Sequence, residues 1–142
     1  DDRRSITGAI VYIGDSPVLW TSRRQESIAM STSESEFYAI TEGFKDAKFV
    51  NNLLTEAFGQ KVKLPIKTYC DNQSAIATGL GMGNVRKTRH MELRYQFIKH
   101  ELKSGFIELE YIESSKNKSD GLTKILGSSK ITESCKHLGI QV

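Results

Sequence analysis

IKTYCDNQSAIATGL, residues 66–80, is the stretch on which the fold turns. IKTYC is a short run of β-branched and aromatic residues, Asp71 closes it, and NQSAIATGL continues directly in small and apolar residues suited to a helix. The order is strand, carboxylate, helix. Open α/β sheets build their sites just outside the carboxyl ends of their strands, and that is where this order puts Asp71.

Working outward toward the N-terminus, the polar loop Gln60 to Pro65 separates the strand from a longer pattern. Over residues 33–58, Phe37, Ile40, Phe44, Ala47, Val50, Leu54 and Phe58 recur at steps of three and four. That spacing predicts a long amphipathic helix which Gly59 ends. Before it, SITGAIVYI (5–13), the turn Gly14-Asp15-Ser16-Pro17 and VLWTS (18–22) predict a β-hairpin over residues 5–24.

In the other direction, Gly79, Gly81 and Gly83 form a link and not a phosphate loop, because no Lys-Ser/Thr pair follows and no strand leads in. Met91, Tyr95, Ile98 and Leu102 share one face of a helix predicted from Lys87 to Ser104, with Gly105 as its stop. FIELEYI (106–112) alternates Ile107, Leu109 and Tyr111 against Glu108 and Glu110, a strand covered on one side. The loop SSKNKS then leads to Asp120-Gly121-Leu122-Thr123-Lys124 and a short helix around Ile131 to Leu138. The order β-β-α-β-α-α-β-α predicts an α/β fold, a mixed sheet flanked by helices, as one domain over residues 1–142.

Composition fits that reading. The 142 residues, 38% hydrophobic and 26% charged, suit a single core, and the net charge of +3 permits a polyanionic partner without arguing for one. Two cysteines, Cys70 in the strand and Cys135 in the last helix, give no disulfide framework and read as reduced thiols in or near the core. No stretch is apolar enough to span a bilayer, and Asp1-Asp2-Arg3-Arg4 is unlike a signal peptide. The expectation is a soluble intracellular protein with no membrane partner, placed in the cytoplasm, with presence in the nucleus left open. Trp20, Tyr95 and Phe97 are read as core aromatics, and His100 and His137 lack partners at zinc-ligand spacing.

Three acidic residues stand where this pattern would converge them: Glu36 early in the long helix, Asp71 after its strand, and Asp120 beyond the last strand. If they meet, carboxylate oxygens without a thiol or imidazole suit magnesium or manganese. Two such ions about 4 Å apart could serve phosphodiester hydrolysis. Each residue also has a structural reading. Ser33-Glu34-Ser35-Glu36 fits a capping box, Asp71 could cap the helix beginning at Asn72, and Asp120 could simply favour a helix dipole.

A resemblance bears on that choice. DDRRSITG (1–8), WTSRRQ (20–25), STSESEFYAI (31–40), YCDNQSA (69–75), KTRHMELRYQFIKHELKSG (87–105), IELEYIESS (107–115) and SDGLTK (119–124) resemble, in order and spacing, the ribonuclease H domain of copia-type LTR retrotransposon Pol polyproteins. The resemblance implies a ribonuclease H-like fold, with the second, third and fourth acidic ligands on Glu36, Asp71 and Asp120 and Glu34 only a neighbouring acid. It implies two Mg2+ (or Mn2+) ions, cleavage of the RNA strand of an RNA/DNA hybrid during reverse transcription, and a reverse transcriptase region in the same polyprotein.

In that family the domain opens with a strand bearing the first acidic ligand, shortly before the segment that DDRRS matches. Asp1 and Asp2 read as loop residues instead, so the chain is expected to be N-terminally incomplete, either a fragment of a longer polyprotein or a truncated copy put to another use. The absent strand would lie mid-sheet, between the hairpin and IKTYC, leaving two facing edges. Three outcomes are open: direct pairing across the gap, a strand completed by another chain, or self-association.

Arg86, Lys87, Arg89, Arg94, Lys99 and Lys103 outnumber Glu92 and Glu101 around the second long helix, and such a cationic face could follow a phosphate backbone. Asn72 could read a ribose 2′-OH. Arg86, Lys87, Arg89 and His90 complete the expected nucleic-acid contacts, His90 equally being a surface or capping residue. Two other functions compete. One is a non-catalytic binding or assembly module. The other is an integrase-type transferase, whose acids should run Asp, Asp, Glu, whereas here Glu36 comes first.

Overall fold

A computed structural model describes residues 4–26, 28–82, 89–124 and 126–140, without the side chains of residues 89 and 90. Asp1 and Asp2 lie outside the described residues. The elements run β1 (Ile6–Ile13), β2 (Ser16–Arg24), α1 (Thr32–Phe58), β3 (Ile66–Cys70), α2 (Gln73–Gly79), α3 (Arg89–Lys103), β4 (Ile107–Tyr111) and α4 (Ser128–His137). Two 3-10 turns, Ser114–Lys116 and Lys118–Leu122, separate β4 from α4. This is the α/β order that the hydrophobic spacing predicts.

Ser31 sets the start of α1. It is extended, and its Oγ accepts from the Glu34 amide at 3.1 Å, satisfying one of the donors a helix N-terminus leaves free. The Glu34 carboxylate reaches back to the Met30 amide at 2.7 Å. Capping therefore falls to Ser31 and Glu34, two residues earlier than the Ser33/Glu36 pairing that the sequence offers, and Glu36 is released from that role. At the other end Gly59 takes φ 65°, a left-handed conformation easy only for glycine, and its amide closes on Thr55 O at 3.1 Å.

Phe37, Ile40, Phe44, Ala47 and Val50 form the buried stripe of α1, packing with Cys70, Ala75, Ile76, Met91, Ile98, Ile107 and Leu109. Phe58 lies beyond the core and is exposed, because the last turns of α1 extend past the elements that cover it. The ammonium of Lys48 sits 2.5 Å from the carboxylate of buried Glu101, tying α1 to α3.

Among the described residues the strands form two separate pairs. β1 and β2 are antiparallel, Ile6 opposite Arg24 and Ile13 opposite Ser16, with an irregularity between Val11 and Tyr12. β3 and β4 are parallel, Ile66 opposite Ile107 and Cys70 opposite Tyr111, and α2 and α3 supply the crossover that a parallel pair requires. β1 does not pair with β3. Each pair rests on α1 separately, and a groove of about 400 Å3 runs between them over Gly43 and Ala47. Direct closure of the gap is thus not the arrangement adopted.

Residue type misassigned one aromatic. Trp20 is 51% exposed and not in the core. Along β2, Pro17, Leu19 and Thr21 face inward, so Val18 and Trp20 fall on the outer side of the hairpin. Tyr111 is likewise exposed, while Ile107 and Leu109 on β4 are buried as their alternation predicts. Tyr95 and Phe97 pack against the core in partly buried positions.

Candidate functional site

Asp71 follows the last residue of β3, and α2 starts two positions later with Asn72 as its cap, the Asn72 Oδ1 accepting from Ala75 N at 2.9 Å. Asp71 therefore does not cap α2. Glu36 lies a little over one turn into α1. Asp120 sits in the 3-10 turn Lys118–Leu122, whose start is fixed by Asn117 Oδ1 accepting from Ser119 N at 3.1 Å and from Ser119 Oγ at 2.7 Å.

These three segments, far apart in sequence, put Glu36, Asp71 and Asp120 around one pocket of about 350 Å3, together with Arg4, Ser35, Asn117, Ser119 and Lys124. Ligand atoms of Glu36, Cys70 and Asp71 all lie within 4.8 Å of one another. Burial, followed by repulsion from Asp71 and Asp120, raises the pKa of Glu36 above its ordinary value, and Lys124 partly offsets this. Lys124 holds Asp120 directly, Nζ to Oδ2 at 2.7 Å. Burial pushes the Cys70 thiol up to about 11, so at neutral pH it is a protonated neighbour and not an anionic donor.

Gln25 and Gly8 fix the two sides of this pocket. The Gln25 amide donates to Ser5 O at 2.9 Å, and its side-chain Nε2 donates to Thr7 Oγ1 at 3.0 Å and Ser35 O at 2.9 Å. One buried side chain thus ties β1 to the first turn of α1, next to Glu36. Gly8 leaves room for the Asp120 turn: a Cβ there would lie 2.6 Å from Thr123 Cγ2 and 3.1 Å from Ser119 O. Ser22 Oγ donates to Leu122 O at 2.6 Å, fastening the same turn to β2.

Sequence reasoning gave no role to Lys124, Gln25 or Gly8. Lys124 was within reach, since its spacing of four from Asp120 is the helical ion-pair spacing. The other two act through contacts that no local pattern encodes.

The expected nucleic-acid contacts divide. Arg86 and Lys87 lie outside the described residues, and Arg89 and His90 open α3 with side chains also outside them. Asn72 borders Asp71, with its Oδ1 committed to the cap. Arg94 does not join a phosphate-following stripe: it pairs with Glu42 at 3.0 Å and stacks on the Tyr38 ring at 4.5 Å, inside the fold. Among the described residues no helix is long and apolar enough to cross a membrane.

Over 140 residues, 99% of its length, the chain is 27% identical to the retrovirus-related Pol polyprotein from transposon RE1 of Arabidopsis thaliana, and 28% identical to that from transposon RE2 of the same plant. Over 138 residues it is 30% identical to the retrovirus-related Pol polyprotein from transposon TNT 1-94 of Nicotiana tabacum. The chain spans about 10% of the length of these relatives. No protein-family model matches it, and no solved structure does. Nearly all of the chain is thus related to one region of retrotransposon Pol polyproteins.

Proposed function

From this kinship with Pol polyproteins, we propose that the chain is a ribonuclease H-type nuclease domain, hydrolysing the RNA strand of RNA/DNA hybrids during reverse transcription. The observation that carries the reading is the meeting of Glu36, Asp71 and Asp120, from three separate segments, around one pocket at the carboxyl end of β3.

The donor set fits magnesium or manganese. Carboxylate oxygens are the ligands such hard cations take, and the one nearby thiol is held protonated. Two bound ions would activate a water and stabilise the leaving oxygen of the phosphodiester. Glu36, Asp71 and Asp120 would hold them, and the repulsion that raises the Glu36 pKa is what a divalent charge relieves. Asn72, next to Asp71, would read a ribose hydroxyl, and Arg86, Lys87, Arg89 and His90 would bind the phosphates of the hybrid. The reverse transcriptase region of the same polyprotein is the partner that would deliver the hybrid.

The test is cleavage of a labelled RNA/DNA hybrid by a longer polypeptide that also carries the family's first acidic ligand. We expect magnesium-dependent cutting of the RNA strand, abolished by Asp71→Asn, which keeps the shape and removes the anionic ligand. Cutting that survives the substitution, or that persists with chelator, overturns the reading.

A further inference from the structure

β2 has an unpaired edge on the side of the hairpin away from β1. Gln25 N bonds Ser5 O, and with Arg23 opposite Thr7 and Thr21 opposite Ala9, alternation turns the backbone groups of residues 21, 23 and 25 toward β1. Trp20, Ser22 and Arg24 therefore turn their N–H and C=O groups outward, where no strand meets them among the described residues. The beginning of the strand is blunted. Val18 has no partner in the β1 register, and Pro17 has no N–H to offer. The regular part of this edge thus runs from Trp20 to Arg24, with Ser22 at its centre.

The side chains along the edge narrow the choice of partner. On the outer face Trp20 and Arg24 are both exposed. On the inner face Arg23 comes only to 3.9 Å from Glu42, while Thr21 Oγ1 donates to Asp46 Oδ2 at 3.1 Å. Thr21, Arg23 and Asp46 border one cavity of about 620 Å3 between β2 and α1. Two adjacent arginines discourage most added strands, which is how exposed edges are protected. A strand that sets an aromatic ring opposite Arg24 and a carboxylate beside Arg23 turns both charges into contacts. β2 is itself such a strand. Antiparallel pairing with β2 of a second copy, about a two-fold axis at Ser22, sets Trp20 opposite Arg24 and Thr21 opposite Arg23. Each Trp20 ring then receives a guanidinium, and each Arg23 lands beside the Asp46 that the facing Thr21 holds. The axis makes every such contact twice. An axis at Arg23 would set like charges face to face, and one at Thr21 or Trp20 would carry the pairing into Val18 and the irregular start of the strand.

We propose that the outer edge of β2 is a homodimerisation site, joining the hairpins of two copies of this chain into one antiparallel sheet centred on Ser22. Backbone bonds from Trp20, Ser22 and Arg24 hold the two strands together, and the Trp20–Arg24 and Arg23–Asp46 contacts across the axis select the chain's own copy over other strands. This edge lies on the far side of the hairpin from the groove beside β3. The proposal does not rest on the nuclease reading.

The experiment is sedimentation velocity of the chain across a range of concentrations, with fluorescence from Trp20, the single tryptophan, read on the same samples. Dimer should form as concentration rises, and the Trp20 emission should move to the blue in step as the ring loses water. Arg23→Glu, at an exposed position, should raise the dissociation constant roughly tenfold or more, because it sets a carboxylate against each Asp46. Ser22→Pro removes an outward N–H that β1 does not use, and should abolish the dimer. Ser22→Cys should cross-link to its counterpart under mild oxidation, since residues paired across the axis lie about 5.5 Å apart at Cα, within disulfide reach. It should do so far faster than the parent chain, whose own thiols are Cys70 and Cys135. A chain that stays monomeric at its highest soluble concentration overturns the proposal. A dimer that is indifferent to Arg23→Glu, or in which Ser22→Cys cross-links no faster than the parent, has its interface elsewhere and overturns it equally. These two variants decide the matter even where Ser22→Pro unfolds the hairpin.

Discussion

The Lys124 ammonium lies 2.7 Å from Asp120 Oδ2 and acts on Asp71 and Glu36 as well, so one lysine serves as counter-charge to three carboxylates. A divalent ion entering the pocket would meet that positive charge. Removing it in Lys124→Met should lower the stability of the metal-free chain slightly, as loss of a half-exposed ion pair does. It should also strengthen Mn2+ binding, roughly thirtyfold, the size of the ~2 kcal/mol repulsion between a single and a double charge about 4 Å apart in water-like dielectric. Calorimetric titration with Mn2+ checks this, and weaker binding by the variant would remove Lys124 from the counter-charge role.

Glu42 gives a pH dependence away from the pocket. Burial pushes its pKa up, but hydrogen bonds and charge from Lys45 and Arg94 outweigh burial, and the folded value lies below the ordinary 4.5. A depressed carboxylate contributes stability above its unfolded pKa and loses it as pH falls through the folded one. Glu42→Gln should therefore melt lower than the parent at neutral pH, by about 3 °C. The difference should shrink below about pH 4.5 and disappear in stronger acid. Melting curves across that range decide it; a constant difference would show that Glu42 acts by shape and not by charge.

Gly8 tests how the Asp120 turn is held. A side chain there would press on Thr123, Leu122 and Ser119 O, and β1 cannot yield easily because β2 and α1 pack against it. Gly8→Val should displace the turn and cost about 1–3 kcal/mol through overpacking. The stabilisation by Mn2+ should fall in step, because the displaced turn carries Asp120. A variant with undiminished Mn2+ stabilisation would show that Asp120 reaches the pocket without this close approach.

These contacts mark where sequence reading succeeds and where it stops. α1 was legible because Phe37 to Val50 repeat at the helical period, and β3 because IKTYC ends sharply at Asp71. Both are local signals. Trp20 was misplaced because its aromatic character outweighed the parity of β2, which puts it beside Val18 on the outer face. The cap of α1 was misplaced by two residues because Ser31-x-x-Glu34 and Ser33-x-x-Glu36 offer the same pattern, and only the backbone turn at Ser31 separates them. Of the site, Asp71 could be placed by its strand end. Asp120 could not, because its 3-10 turn is positioned by Gly8 and Ser22, more than 90 residues away in sequence.

Gln25 carries the most exacting of these long-range contacts. Both Nε2 hydrogens are used, on Thr7 Oγ1 and Ser35 O, while its Oε1 is buried with no partner among the described residues. Gln25→Leu removes the unpaired acceptor together with both donated bonds. Since a net hydrogen bond is worth about 1 kcal/mol and an orphaned buried acceptor costs about as much, the loss should be small, on the order of 1 kcal/mol. Gln25→Glu is the sharper variant. It keeps the size of the side chain but sets a carboxylate against Ser35 O, where a donor is required. At neutral pH this buries an unpaired charge beside a carbonyl, costing several kcal/mol. Burial would raise the folded pKa of the new carboxyl, so stability should be recovered as pH falls toward its unfolded value and lost as pH rises through the folded one. Denaturant titrations of the two variants at neutral and acidic pH test this directly. Equal stability of the leucine and glutamate variants at neutral pH would mean that Gln25 does not donate to Ser35, and that the first turn of α1 is held in place by the Ser31 cap alone.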